Sequence, residues 1–449
     1  MKILRNPALP WVLLFMVLSF VNIQIGGTNA VSRIAGLRAI TEGGTLNIDH
    51  YYTWSDDWAL APSRHFYPNK APGGVLLGLP AFALVDFPTR WLDHTRDSFG
   101  RAPPPSPLEL TLFCFLMQVL PFALLVFFLS SEFRGNPAPV HFFALAALFG
   151  NTAALYMNTY FGHGLAALLM LGCFAAWLRA RYALSGALIA ACLLTEYGTA
   201  FVLPFFLLAT LWRERSVRPL VAVLLGSLPF AALWIWYHQV AFGSPFALAI
   251  KYSNPAMITD ISDASGTGIW GMLSFFPSPF ALQKLLFGPE RGLLFTQPWV
   301  LAAFPFVFFP TKLPRGTKLF LCGGLCGLLW MNASIGGWTG GFALGPRYLS
   351  QIIPAIGLAF ALSWREFSNP WKMLLTIGVA VSVAFRILVL PFPVMAASVN
   401  LWALHFYLYS LLPWTAAPYR HLTLAITGFA VCGAWTWAWQ KWVTPVNEA

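Results

Sequence analysis

Apolar runs long enough to cross a membrane recur along this chain, separated by short basic turns. That alternation limits the fold more than any other feature. A helix needs about 20 apolar residues to span a bilayer, and only helices and closed barrels satisfy their backbone polar groups inside one. Long runs begin near Pro10, Leu108, Val140, Gly164, Leu220, Leu319, Leu349, Leu374 and Leu422. Two shorter ones flank Thr195–Gly198, and another ends before Lys312. Charged residues make up 10% of the chain, against about a quarter in soluble proteins, too few to cover a water-facing surface. No polar block is long enough to bury a core of its own. The expected fold class is an all-α polytopic membrane protein, one multi-pass domain over residues 1–449.

The net charge is +11. The Lys and Arg residues are scattered between apolar runs instead of forming one patch, which argues against a nucleic-acid partner. Membrane topology explains them better. Lys2 and Arg5 precede the first run, Pro10 to Ile25. This run reads as a span rather than a cleaved leader because many spans follow, and it places the N-terminus in the cytoplasm. About twelve helices result if Gly73–Phe87, short and interrupted by Pro80, is interfacial or re-entrant. The basic residues Arg134, Arg179, Arg181, Arg213, Arg215, Arg218, Lys312, Arg315, Lys318, Arg365 and Lys372 then all face the cytoplasm. If Gly73–Phe87 spans, every later loop flips and the rule fails. The six cysteines lie in apolar runs without metal-ligand spacing, so neither a disulfide nor a cysteine-bound metal is expected.

On this count two outer loops stand out, residues 28–107 and 240–292. In the first, NAVSRIAGLRAI (Asn29 to Ile40) has helical spacing with Arg33 and Arg38 on one side. It predicts a short helix lying on the membrane surface, stopped by Glu42-Gly43-Gly44. The stretch from Asp49 to Gly74 then gathers Asp49, Asp56, Asp57, His50, His65, Arg64 and Lys70 among aromatic rings. Loops on a rigid scaffold carry chemistry. Most remaining acids, including Asp86, Asp93, Asp97, Asp260, Asp263 and Glu290, also fall outside.

Five stretches, SRIAGLRAITEGGTLNID (Ser32 to Asp49), DWALAPSRHFYPNKAPGGVLLGLP (Asp57 to Pro80), TYFGHGLAALL (Thr159 to Leu169), VAFGSPFALAIKYSNP (Val240 to Pro255) and GPRYLSQIIP (Gly345 to Pro354), carry a family resemblance in their order and spacing. Together they resemble the GT-C-type polyprenyl-phosphate-sugar-dependent membrane glycosyltransferases. That group includes the protein O-mannosyltransferase-like enzymes and the aminoarabinose transferases of lipid A. The resemblance covers about the first 360 residues. It implies a large first periplasmic loop with interfacial helices, and inverting transfer of a sugar from a polyprenyl-phosphate donor. The acceptor would be a lipid, glycan or protein on the outer side of the cytoplasmic (inner) membrane. Where many relatives carry an Asp-Glu pair after the first span, this chain has Asn29 and Ala30.

Such chemistry needs a carboxylate to accept the acceptor's proton, cations to hold the leaving phosphate and an apolar groove for the prenyl tail. Asp57 is the first candidate base, followed by Asp56 and Asp49. The alternative is that Asp56 and Asp57 cap a surface helix beginning at Trp58. Lys70 of NKAPGG matches a family Lys placed to meet the donor phosphate. Arg347 of GPRY follows a Gly345-Pro346 turn at the outer start of a span and can grip phosphate in bidentate fashion, with Arg64 as a third cation. Interfacial anchoring is the competing reading for Lys70 and Arg347. Tyr67, Asn69, Tyr160, His163, Glu196 and Tyr348 are candidate substrate contacts. The aromatic residues suit sugar stacking and an interfacial belt equally. No cofactor is assigned: a divalent metal is compatible with phosphate chemistry, but no ligand set is legible, and Asn69 stands where some relatives have an acid. The rival readings are a non-catalytic carrier or flippase for lipid-linked sugars, and an assembly subunit that kept the fold without the catalysis.

Overall fold

The computed structural model describes residues 6–21, 27–92, 106–133, 136–255, 273–289, 291–341, 344–389 and 426–434. Asp93, Asp97, Asp260, Asp263 and Glu290 lie outside the described residues, as does half of the last expected span. The described residues are mostly helical, with one short hairpin among them. Among the described residues three helices, Leu108–Phe133, Arg218–Phe242 and Asn369–Ile387, are long and apolar enough to cross a membrane. Seven shorter apolar helices accompany them. This indicates membrane association.

In chain order, α1 is Leu9–Val21, α2 Thr28–Gly43, β1 Trp58–Leu60 and β2 Phe66–Pro68. Then come α3 Gly73–Leu92, α4 Leu108–Phe133 and α5 Pro137–Leu148. Next are α6 Gly162–Leu178, α7 Tyr182–Thr195, α8 Leu203–Glu214 and α9 Arg218–Phe242. Helix α10 is Pro279–Phe287, α11 Leu319–Ser334, α12 Ile353–Leu362 and α13 Asn369–Val389. Helix α9 leaves Val221, Leu224, Leu225, Leu228, Ile235 and Trp236 exposed, a face suited to lipid.

Two expected spans are broken. The run Val140–Met157 stops as a helix at Leu148 and resumes as one turn, Ala153–Tyr156. Polar side chains satisfy the break: Thr152 N–H donates to Gln297 Oε1 (3.1 Å), Asn151 Nδ2 to Ala146 O (3.0 Å) and Trp299 Nε1 to Gly150 O (2.7 Å). The run before Lys312 is likewise cut into short turns, with Pro298 and Pro305 among them. Non-helical backbone at such depth is tolerated when buried partners replace the lost bonds.

Helix α2 forms where it is expected and ends as expected. Gly44 adopts the left-handed conformation (φ 62°), and its N–H reaches back to Ala39 and Ile40. Its surroundings differ from the expectation. Instead of lying on a surface, α2 is enclosed. Ala30, Ile34 and Leu37 pack with Val75, Phe82 and Val85 of α3 and with Leu110 and Phe113 of α4. Ala35 and Ala39 pack against Ile48 and Tyr51, with Trp54, Trp58 and Phe66 over them. Arg33 and Arg38 are therefore buried, not turned to water. Burial is sustained by charge pairing. Arg38 bonds Glu109 (2.8 Å) and Glu42 (3.2 Å), and also pairs with Asp86, tying α2 to α3 and α4.

Trp58 begins a strand, not a helix. Strands β1 and β2 pair antiparallel in the register Trp58↔Pro68, Ala59↔Tyr67, Leu60↔Phe66. The second outer loop pins this hairpin: Asn254 N–H donates to Trp58 O (2.9 Å) and its side-chain amide to Asp56 O (3.1 Å). The hairpin, α2 and the first turn of α3 thus form one layer over the ends of α6 and α7.

Candidate functional site

Strand pairing sets Asp57 opposite Asn69, one step beyond the Trp58↔Pro68 pair. The Asp57 carboxylate is buried. Its Oδ1 accepts hydrogen bonds from Asn69 Nδ2 (2.5 Å) and Lys70 Nζ (2.9 Å). Its backbone is fixed as well: Ser32 Oγ donates to Asp57 O (2.6 Å), and Asp57 N–H donates to Ser55 Oγ (3.1 Å). Burial alone would raise this carboxyl's pKa. The charge and hydrogen bond of Lys70, the amide of Asn69 and the charge of Arg33 outweigh burial and hold it below its usual range.

Glu196 caps the C-terminal end of α7 in extended backbone. Its Oε1 lies 3.6 Å from Arg33 Nη2 and 3.6 Å from His163 Nδ1. Burial raises the Glu196 pKa, and the charges of Arg33, Arg347 and Lys70 only partly oppose that. Arg33 also donates to Asn29 one turn earlier. Glycine lets these groups approach closely: a Cβ at Gly162 would push aside the ends of the Glu196 and Arg33 side chains, and one at Gly74 would meet the Arg33 stem.

Arg347 approaches from the turn before α12. It sits over the rings of Tyr348 (5.0 Å) and Phe161 (5.7 Å) and donates to the Tyr348 hydroxyl (3.2 Å). Its Nε is buried without a hydrogen-bond partner. The His163 ring packs edge-on to Tyr156 (5.4 Å) and Tyr348 (5.5 Å). The cluster therefore brings together Asp57, Asn69, Lys70, His163, Glu196, Arg347 and Tyr348 from the expected set. Three fixed cations face two carboxylates, leaving one positive charge over for an anion.

Other expected residues stand elsewhere. Asp49 clasps the hairpin: it accepts from Phe66 N–H (2.7 Å) and pairs with His65 Nδ1 (2.6 Å) in an exposed setting. Asp56 points to solvent. Arg64 occupies the exposed hairpin turn with φ 66°, about 10 Å from the Asp57 end by strand rise. Tyr67 packs on Phe242 (5.5 Å). Tyr160 donates to Gly74 O and stacks edge-on to Phe113 (4.4 Å), so it supports α3 rather than presenting its hydroxyl. Among the described residues no group of three or more His, Cys, Asp or Glu side chains is arranged to hold a metal ion.

Arg33 is the member of the cluster that was not expected. One signal is present in the sequence: Ala30, Ser32, Ala35 and Gly36 around it are small, which favours close approach by other helices. Comparison with protein-family models, curated proteins and solved structures gives no match for the chain.

Proposed function

We propose that the protein is a GT-C-type inverting membrane glycosyltransferase. It moves a sugar from a polyprenyl-phosphate donor to a lipid, glycan or protein acceptor at the outer face of the cytoplasmic membrane, and about twelve helices thread that membrane. The observation that carries this reading is the pair of buried Asp57 and half-buried Lys70, set among Arg33 and Arg347. Excess positive charge held in a prearranged site stabilises a phosphate as it leaves. A carboxylate beside it can take the acceptor's proton. The end of α9 that packs on the hairpin through Tyr237 and Phe242 leaves Ile235 and Trp236 exposed, an apolar face that suits the prenyl tail.

The test supplies purified full-length protein in detergent with a panel of polyprenyl-phosphate sugars and follows release of free polyprenyl phosphate. Turnover that falls sharply in Lys70→Met supports the transferase. Donor binding that depends on Lys70, without turnover of any donor, supports the carrier reading instead. Neither binding nor turnover rejects both and leaves the assembly subunit.

A further inference from the structure

Two carboxylates reach the cluster, and their surroundings suit them to different work. The Asp57 side chain is 4% exposed, and one oxygen already receives both Asn69 and Lys70. The Glu196 side chain is 16% exposed, and neither the Arg33 nor the His163 contact closes to hydrogen-bond length. Glu196 is thus the more accessible carboxylate, and neither of these contacts ties up its Oε1 with a hydrogen bond. Charged and titratable groups face it from every side: Arg33 of α2, Lys70 before α3, His163 of α6, Arg347 before α12, and Cys192 and Tyr197 on its own segment.

We infer that Glu196 takes the acceptor's proton, and that Asp57 instead positions Lys70 against the donor phosphate. This rests on the transferase reading above. In the step, the acceptor oxygen bonds to the anomeric carbon as that carbon's bond to the phosphate oxygen breaks. The electron pair of the broken bond leaves with the phosphate, and the acceptor's proton passes to Glu196. A phosphodiester with one negative charge becomes a monoester with two, while Glu196 becomes neutral. The charge facing Arg33, Lys70 and Arg347 is the same before and after, so the fixed cations need not rearrange. The opposed pKa displacements fit these roles. A base works best when its proton affinity lies near the working pH, and paired carboxyls pushed apart by their settings divide such roles.

The experiment is single-turnover release of polyprenyl phosphate from an undecaprenyl-phosphate-linked sugar panel, at saturating donor, as a function of pH. Wild type should show a rate rising with pH through one ionisation to a plateau. Glu196→Gln should lower that plateau by about 100-fold or more while still binding donor. Glu196→Asp should keep part of the rate and move the pH midpoint, which guards against a merely misfolded Gln variant. Asp57→Asn should weaken donor binding yet keep the wild-type midpoint at saturation. The assignment is overturned if Glu196→Asp leaves the midpoint unmoved, or if Asp57→Asn abolishes turnover at saturating donor while Glu196→Gln retains it. Absence of release by the wild type from every donor overturns the transferase reading itself, and this inference with it.

Discussion

Lys70 Nζ lies 2.9 Å from Asp57 Oδ1, yet the two partners are unequally buried: the lysine side chain is 25% exposed and the aspartate 4%. Removing either partner should therefore have unequal effects. Lys70→Met strands a buried carboxylate, for which a loss of about 3–5 kcal/mol is expected. Asp57→Asn leaves an ammonium that can turn to water and should lose about 1–3 kcal/mol. Thermal unfolding of both variants in the same detergent checks the ranking, and a larger loss in Asp57→Asn would reject it.

The depressed pKa of Asp57 has a defined pH signature. A carboxyl bound more tightly as an anion in the folded state contributes stability above its unfolded pKa, about 3.9. That contribution disappears as pH falls through the lower folded value. The stability gap between wild type and Asp57→Asn should therefore be flat from neutrality down to about pH 4 and close below it. Unfolding midpoints over an acid pH series measure this. A gap that closes near neutrality would contradict the arrangement.

Gly162 opens α6 where a Cβ would strike Glu196 and Arg33. Alanine is ordinarily the better helix former. Here Gly162→Ala should instead destabilise by about 1–3 kcal/mol through overpacking, and should impair any reaction that uses Glu196. A more stable Gly162→Ala protein would show that the cluster is looser than described.

Arg38 serves a separate, buried network with Glu42, Asp86 and Glu109. Arg38→Met removes the cation those carboxylates share and should cost about 3–5 kcal/mol. By contrast, His65→Ala breaks an exposed contact with Asp49 and should cost less than about 1 kcal/mol. Parallel melts of the two variants test the contrast.

Much of the helical scaffold was legible because an apolar run must close its own backbone bonds in a membrane. The breaks at 149–152 and before Lys312 were not legible. They depend on Gln297 and Trp299 arriving from a distant segment to satisfy Thr152 and Gly150. The helix at α2 was readable and its burial was not, since the partners that make a buried arginine tolerable come from elsewhere in the chain.

By itself the sequence determined that the chain is helical and apolar, that α2 stops at Gly44, and that acids, cations and aromatic rings collect between Asp49 and Gly74. Only the tertiary structure decided which of them meet. Asp56 and Asp57 are neighbours with the same chemistry, but the chain bends at Asp56 before the strand begins at Trp58, and one side chain reaches solvent while the other reaches Lys70. Arg33 joins Glu196 for the same kind of reason. A charge is tolerated inside a fold where an opposite charge lies within a few ångströms, and packing between distant elements sets that distance.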